Sequence, residues 1–116
     1  MLTKSAKAKS RRLQDAVCNR LEEYFGEKLE PGDIRPALMG ESGEDLKRSP
    51  LARKLLPFSF ECKNQEKLNI WSALEQAQAN CSNGDSPAVV FKRNRSETYI
   101  ALKFDDFINL LGDKNG

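Results

Sequence analysis

Histidine is absent from this chain of 116 residues. Its absence excludes Ser-His-Asp and Cys-His nucleophilic sites, histidine-dependent metal nucleases and histidine-ligated zinc sites. Any catalysis therefore depends on carboxylates, lysines and amides. Cysteine is scarce, since Cys18, Cys62 and Cys81 are too few and too widely spaced for a zinc ribbon or a CxxC redox site. We expect these thiols to act as small apolar residues in a reducing cytoplasm.

Long apolar runs are also missing. No stretch approaches the roughly 18 to 20 apolar residues that a transmembrane helix needs. The basic N-terminus is not followed by an apolar segment, so no secretory signal and no membrane association are predicted. The length fits one domain over residues 1–116, with residues 1–8 and 113–116 expected to be mobile.

Charge is nearly balanced at +2 but is unevenly distributed. Acidic residues concentrate between Glu41 and Asp45. Basic residues concentrate near the N-terminus (Lys4, Lys7, Lys9, Arg11, Arg12) and between two apolar runs (Lys92, Arg93, Arg95). Basic clusters beside an acidic centre are typical of a metal-dependent enzyme that acts on phosphates. The alternative is that these charges only solvate the surface.

Apolar periodicity predicts an α/β domain, with a short mixed β-sheet flanked by helices. The predicted elements are a helix over 5–24, a turn-rich loop or site over 30–45, a strand over 58–63, a helix over 70–80, a hairpin of strands 87–91 and 98–102, and a closing helix. That last helix is predicted to start near Asp105 as its cap, to bury Phe107, Leu110 and Leu111, and to stop at Gly112.

The strand over 58–63 carries the most informative pattern, because apolar and polar residues alternate strictly along it. Phe58, Phe60 and Cys62 are predicted to face the core. Glu61 and Lys63 then project side by side from the other face, roughly 6 to 7 Å apart along the strand.

A second carboxylate is expected to come from the glycine-rich turn of residues 40–45. Asp45 ends this turn, and its glycines allow a sharp bend and a close approach of DNA. One Asp and one Glu with a backbone carbonyl suffice for Mg²⁺, and a nearby lysine can orient water and neutralise charge on a phosphate. Asp33, after Pro31-Gly32, is the alternative first acid. Asp45 is preferred because it lies closer to the strand and precedes the apolar Leu46.

These residues resemble a known family. Asp45, a spacer and then Glu61-Cys62-Lys63 are similar to the signature of the PD-(D/E)XK nucleases, above all the small Holliday junction resolvase-like endonucleases of archaea and phages. Glu75-Gln76-Ala77 is similar to the EQA element that those proteins place behind the active site. The segment 9–14 resembles their first-helix motif, so the resemblance covers residues 9–107.

The resemblance implies a restriction-endonuclease-like fold and a Mg²⁺-dependent DNA endonuclease, with Mn²⁺ as a substitute. It implies branched DNA, above all Holliday junctions, as substrate, a homodimer as the active form, and the cytoplasm of a prokaryotic host if the protein is phage-encoded. Asp45, Glu61 and the Cys62 carbonyl would hold the metal. Lys63 would activate or orient water, with Gln76 in support.

Two positions depart from the family pattern. The acid turn of the family often reads Pro-Asp, whereas Asp45 follows Glu44. The first-helix glutamate of the family corresponds to Gln14, which brings an oxygen but no charge. Gln14 therefore implies one tightly held metal instead of two, or an acid role taken over by a neighbour.

The basic clusters complete the expected DNA contacts. Arg93 and Arg95 can grip phosphates in forked contacts from a hairpin tip, while Lys9, Arg11 and Arg12 can follow a DNA arm. Three alternatives stay open at this point: a nuclease of the same fold for nicked, flapped, mismatched or duplex DNA, a non-catalytic DNA-binding module on a decayed nuclease fold, and a structural protein in which Glu61 and Lys63 form an ordinary surface pair.

Overall fold

Four α-helices and five β-strands follow one another along residues 3–113, the part of the chain that this computed structural model describes. In chain order they are α1 (Lys4–Phe25), β1 (Ile34–Pro36), β2 (Leu46–Arg48), α2 (Pro50–Leu55), β3 (Phe58–Asn64), α3 (Ile70–Ala79), β4 (Ser86–Lys92), β5 (Tyr99–Leu102) and α4 (Phe104–Asp113). The predicted fold class, an α/β domain of small mixed sheets with flanking helices, is confirmed. Within residues 3–113, no helix has the length and apolar character needed to cross a membrane.

Helix α1 begins and ends at local signals in the sequence. The side chain of Thr3 caps it by accepting a hydrogen bond from the Ala6 amide at 3.1 Å. Gly26 ends it with a φ of +55°, a backbone angle that favours glycine. The helix predicted over 5–24 is therefore confirmed. Residues 4–8, expected to be mobile, form its first turns, whereas residues 1, 2 and 114–116 lie outside the described part of the chain.

The central sheet has the strand order β3-β4-β5. β3 and β4 run parallel, and β4 pairs with β5 in antiparallel fashion. The predicted strand over 58–63 and the predicted hairpin after it are both present. A parallel pair needs a crossover, which α3 supplies, so α3 runs antiparallel to β3 and β4.

A second sheet of two strands lies in a region where the sequence predicted only turns. β1 pairs with β2 in antiparallel fashion, with Ile34 opposite Arg48 and Pro36 opposite Leu46. Ile34 and Leu46 are buried in the main core, and that burial explains why a Pro- and Gly-rich segment forms a strand. The sequence predicted a turn-rich loop or a site over 30–45, and the strand β1 within this segment was missed.

Helices cover both faces of the central sheet. Leu13 and Cys18 of α1 pack with Phe58, Phe60 and Cys62 on one face. On the other face, α3 places Ala73 and Ala77 against Val89. Ser59 and Glu61 are consequently buried as well, although the alternation predicted an open polar face for them. Parallel strands usually have helices packed on both faces of their sheet. The sequence of one strand does not show that its polar face will be covered in this way.

The closing helix differs most from the prediction. α4 begins at Phe104, one residue before the predicted cap Asp105, and continues past Gly112 to Asp113. The predicted buried residues remain 45% (Phe107), 40% (Leu110) and 47% (Leu111) exposed. The reason is a groove of about 810 Å³ that stays open between α1, the sheet and α4 and that Phe107 and Leu110 line but do not fill.

Candidate active site

Asp45 is fixed on the free edge of β3 by two hydrogen bonds. Its amide donates to the Phe60 carbonyl at 2.9 Å, and its carboxylate oxygen Oδ2 accepts from the Cys62 amide at 2.7 Å. Both partners flank Glu61 in the sequence. The carboxylates of Asp45 and Glu61 are consequently held side by side.

The glycine-rich turn delivers Asp45 to this edge. Gly40 and Gly43 adopt φ angles of +84° and +91°, which permit the sharp bend that the sequence predicted. The Asp45 carbonyl accepts a hydrogen bond from the Ala37 amide at 2.8 Å. This bond joins the two ends of the turn next to the β1–β2 sheet, which we call the β1–β2 ribbon.

Asp33 lies at the opposite end of that ribbon. Its carbonyl accepts from the Ser49 amide at 2.8 Å, and its carboxylate accepts from the Glu30 amide at 2.6 Å. Of the two acids weighed from the sequence, it is Asp45 and not Asp33 that stands beside Glu61.

Glu61 is a buried acid with only 2% of its surface exposed. Its Oε1 accepts a hydrogen bond from the Asn80 side chain at 2.9 Å. Burial is the main cause that raises the pKa of Glu61, and the adjacent Asp45 charge adds to it. Together they outweigh the lowering effects of Asn80 and Lys63, and the resulting pKa is about 7. Glu61 and Lys63 are therefore not an ordinary surface pair.

Lys63 and Gln76 lie on the two elements that carry Glu61 and its partner Asn80. Lys63 is half-buried on the same face of β3 as Glu61, two residues further along. Gln76 is exposed and lies one turn before Asn80 on α3. Because α3 runs antiparallel to β3, this turn brings Gln76 to about the level of Lys63.

Cys62 presents its backbone, not its thiol, to the acid pair. The amide and carbonyl of one residue leave the same side of an extended strand, so the Cys62 carbonyl faces the edge that holds Asp45. The thiol points the other way into the core beside Cys18, and burial raises the pKa of both thiols. All three cysteines are free.

Asn80 is a site residue that sequence reasoning missed. The sequence indicated it only as the end of a helix, and the structure does place it at the C-terminal cap of α3. Its role as a donor to Glu61 depends on how α3 crosses the sheet. The only local signal was a polar amide at the end of a helix with an alanine-rich face.

A buried polar network next to Glu61 was also missed. We use this name for Glu44, Lys47, Arg48, Ser59, Ser82 and Asp85. At its centre, Glu44 accepts hydrogen bonds from Lys47 Nζ at 2.9 Å and Ser82 Oγ at 2.5 Å. Burial alone would raise the pKa of Glu44, but these donors outweigh it and lower the pKa to about 2.

Arg48 and Asp85 form the other half of the polar network. Their side chains are 1% and 4% exposed and make a two-point ion pair. Arg48 also donates to the Leu56 carbonyl at 2.6 Å, and Ser59 Oγ donates to Asp85 at 2.7 Å. The polar network thereby ties β2 and the 81–85 loop to β3, two residues before Glu61.

The predicted DNA-binding residues fall on two separate surfaces. Arg93 and Arg95 are exposed in the β4–β5 turn, and this turn is anchored by a hydrogen bond of 2.6 Å from the Asn94 amide to Glu66. The remaining basic residues are on α1, which covers the Cys62 face of β3 (Lys9 half-buried, Arg11 and Arg12 exposed). The half-buried Gln14 also belongs to α1.

Among residues 3–113, no three or more His, Cys, Asp or Glu side chains form a group that could hold a metal ion. Asp45 and Glu61 therefore form a pair of acids that is not part of a larger group of such side chains within this part of the chain. Comparisons of the chain with protein-family models, with curated proteins and with solved structures found no match. Support for any activity therefore comes from the residues of this chain.

Proposed function

We propose that the protein is a Mg²⁺-dependent DNA endonuclease that hydrolyses phosphodiesters in branched DNA, with four-way junctions as its principal substrate. The observation that carries this proposal is the buried Glu61 beside the half-buried Asp45, with Lys63 on the same strand face as Glu61. A buried acid next to a second acid is unfavourable without a cation, and acids with such strongly shifted pKa values concentrate at functional sites.

The donor set suits Mg²⁺ or Mn²⁺. Mg²⁺ takes oxygen ligands, keeps several waters and needs only one or two protein carboxylates. Asp45, Glu61 and the carbonyl of Cys62 would hold it, with water and phosphate oxygens as the remaining ligands. When bound, it supplies Lewis-acid polarisation of the scissile phosphate.

The nearby side chains have separate roles in this proposal. Lys63 orients the attacking water and neutralises charge that develops on the phosphate. Asn80 holds Glu61 in one orientation, and Gln76 supports the water from the level of Lys63. Hydrolysis adds the water oxygen to phosphorus and breaks one phosphorus–oxygen ester bond, so no oxidant or further co-reactant is needed.

Basic residues would hold the DNA around this site. The β4–β5 turn with Arg93 and Arg95 lies at the edge where β3 also ends, because the parallel neighbours Asn64 and Lys92 are in register. Arg11 and Arg12 on α1 would contact a second segment of the backbone, together with Lys9. Phosphate contacts of this kind position DNA without reading its sequence.

A homodimer completes the proposal, because symmetric cutting of two strands needs two sites. α4 leaves a set of large apolar side chains exposed: Phe104, Phe107, Ile108, Leu110 and Leu111. Apolar patches of this kind mark interaction surfaces, and a two-fold contact would use the same patch on both copies. Free thiols in the chain suit a reducing cytoplasm.

Cleavage of end-labelled DNA tests the activity and the substrate together. A four-way junction, a flap and a linear duplex are incubated with Mg²⁺ or EDTA and with wild type, Glu61→Ala, Lys63→Ala and, as a matched control, Lys67→Ala. We expect paired symmetric nicks on the junction, lost in EDTA and in the first two variants only.

The other outcomes separate the alternatives. Cutting of every substrate would support the nuclease activity but would contradict the preference for junctions. Tight junction binding without any cutting identifies a DNA-binding module on a decayed nuclease fold. Cutting that survives Glu61→Ala contradicts the proposed site.

A further inference from the structure

An aromatic pair continues the row of side chains that begins at Lys63. Lys63 on β3 is in register with Phe91 on β4, which in turn is in register with Tyr99 on β5. The rings of Phe91 and Tyr99 are stacked, with centroids 5.9 Å apart and an interplanar angle of 30°. Neighbouring strands are about 4.8 Å apart, so the backbone of Tyr99 lies about 10 Å from that of Lys63.

This pair forms the wall of a groove that the proposed active site does not use. The groove has a volume of about 360 Å³ and is lined by Phe91 and Tyr99 together with Lys92 and Arg93. We call it the β5 groove. Tyr99 is 56% exposed, so one face of the stack is available to a ligand. Glu66 also lines the groove, but its carboxylate holds the β4–β5 turn through the Asn94 amide.

We propose that the β5 groove binds one unpaired DNA base by stacking on Tyr99, with Arg93 contacting the adjoining phosphate. An aromatic ring can stack on any base, but only on one that has left the duplex. The Arg93 cation complements the charge of the strand next to that base. An apolar peptide would gain nothing from this cation.

The inference rests on the proposed nuclease function and narrows its substrate. A base held at Tyr99 lies in the same row as Lys63, one strand beyond Phe91. The enzyme then selects DNA that offers an unpaired nucleotide beside the phosphate to be cut. Branch points, flaps and junction centres present such nucleotides, whereas an intact blunt duplex does not.

Binding in EDTA tests the β5 groove without any need for cutting. Fluorescence anisotropy gives the Kd of a labelled oligothymidylate of about 15 nucleotides and of a blunt duplex of the same length. Wild type is compared with Tyr99→Ala, Tyr99→Leu and Tyr99→Phe. Ile100→Ala is the matched control, because Ile100 is the next residue of β5, is 54% exposed and faces the other side of the sheet.

We expect Tyr99→Ala and Tyr99→Leu to weaken single-strand binding about tenfold, since stacking on one aromatic ring commonly contributes that much. Tyr99→Phe and Ile100→Ala should stay within about twofold of wild type, and duplex binding should not change in any variant. Tyr99→Leu keeps an apolar side chain, so its effect separates lost stacking from lost packing.

Three results would overturn the inference: unchanged single-strand binding in Tyr99→Ala, equal losses for single strand and duplex, or a change of oligomeric state without a change in DNA affinity. The last result would make the groove a contact between copies. If wild type cuts DNA and Tyr99→Ala binds normally, only the groove is wrong. If wild type never cuts DNA but Tyr99→Ala weakens single-strand binding, only the proposed nuclease activity is wrong.

Discussion

The carboxylate of Asp45 accepts a hydrogen bond of 2.7 Å from the backbone amide of Cys62. This contact joins the end of the glycine-rich turn to the middle of β3 and sets the position of one acid relative to the next. The buried side chain of Glu61, the residue before Cys62, therefore lies next to the charged carboxylate of Asp45. The consequences of that arrangement can be measured.

The first prediction concerns the pH dependence of stability. The folded pKa of Glu61 is about 7, above the usual value of about 4.5. Between these values the folded state binds more protons than the unfolded state, so the free energy of unfolding falls as pH rises. Glu61→Gln removes this loss, and we expect the variant to gain about 1–2 kcal/mol over wild type between pH 4.5 and 8.

Urea unfolding in EDTA at a series of pH values measures that gain. Glu75→Gln, on the exposed surface of α3, is the control, and its profile should run parallel to that of wild type. A Glu61→Gln profile that also runs parallel to wild type would mean that Glu61 is not destabilised by burial.

The second prediction concerns Asn80, which donates to Glu61. Removing an amide that orients a metal-binding carboxylate typically lowers metal affinity 10- to 100-fold. Asn80→Ala should weaken Mg²⁺ binding by about tenfold or more in calorimetry, while Asn83→Ala in the exposed loop that follows should not. Equal Mg²⁺ affinities of the two variants would show that Asn80 does not contribute to the metal site.

The third prediction concerns the polar network. Arg48→Met leaves the carboxylate of Asp85 buried without its cation, whereas Glu44 keeps Lys47, and the loss of a buried cation of this kind costs about 3–5 kcal/mol. Arg35→Met breaks a comparable ion pair with Glu41 on the surface and should change stability little. Denaturant unfolding at pH 7 compares the two, and losses of similar size would show that the network does not stabilise the fold.

The fourth prediction concerns the glycine-rich turn. Gly43 has a φ of +91°, and a Cβ there would stand 3.1 Å from Lys47 Nζ. Gly43→Ala should therefore lower stability by about 1–2 kcal/mol. Gly112→Ala, in α4 with open space around it, should raise stability slightly. Thermal unfolding of the Gly43→Ala and Gly112→Ala variants measures both effects. A Gly43→Ala protein as stable as wild type would show that the positive φ of Gly43 causes no strain for alanine.

Local patterns predicted the central elements well. The strict alternation before Lys63 predicted β3, and the alanine-rich stripe capped by Asn69 predicted α3, because each pattern reflects contacts made within its own element. The placement of Asp45 near Glu61 followed from a short spacer and a flexible turn.

The rest depended on contacts between distant segments. Arg48 and Asp85 form an ion pair although they are 37 residues apart in the sequence, and the residues around them give no signal that predicts this contact. β1 forms because Ile34 is buried by other elements, although Pro36 and the flanking glycines indicated turns. α4 showed the opposite error, since an apolar stripe predicts a buried face but does not specify what covers it.

The most direct test of the central claim is a calorimetric titration of Mg²⁺ into wild type, Asp45→Asn, Glu61→Gln and Asp33→Asn. We expect wild type and Asp33→Asn to bind Mg²⁺ with the same affinity and the other two variants to lose binding. Equal binding by all four proteins, or a loss in Asp33→Asn alone, would contradict a metal site formed by Asp45 and Glu61.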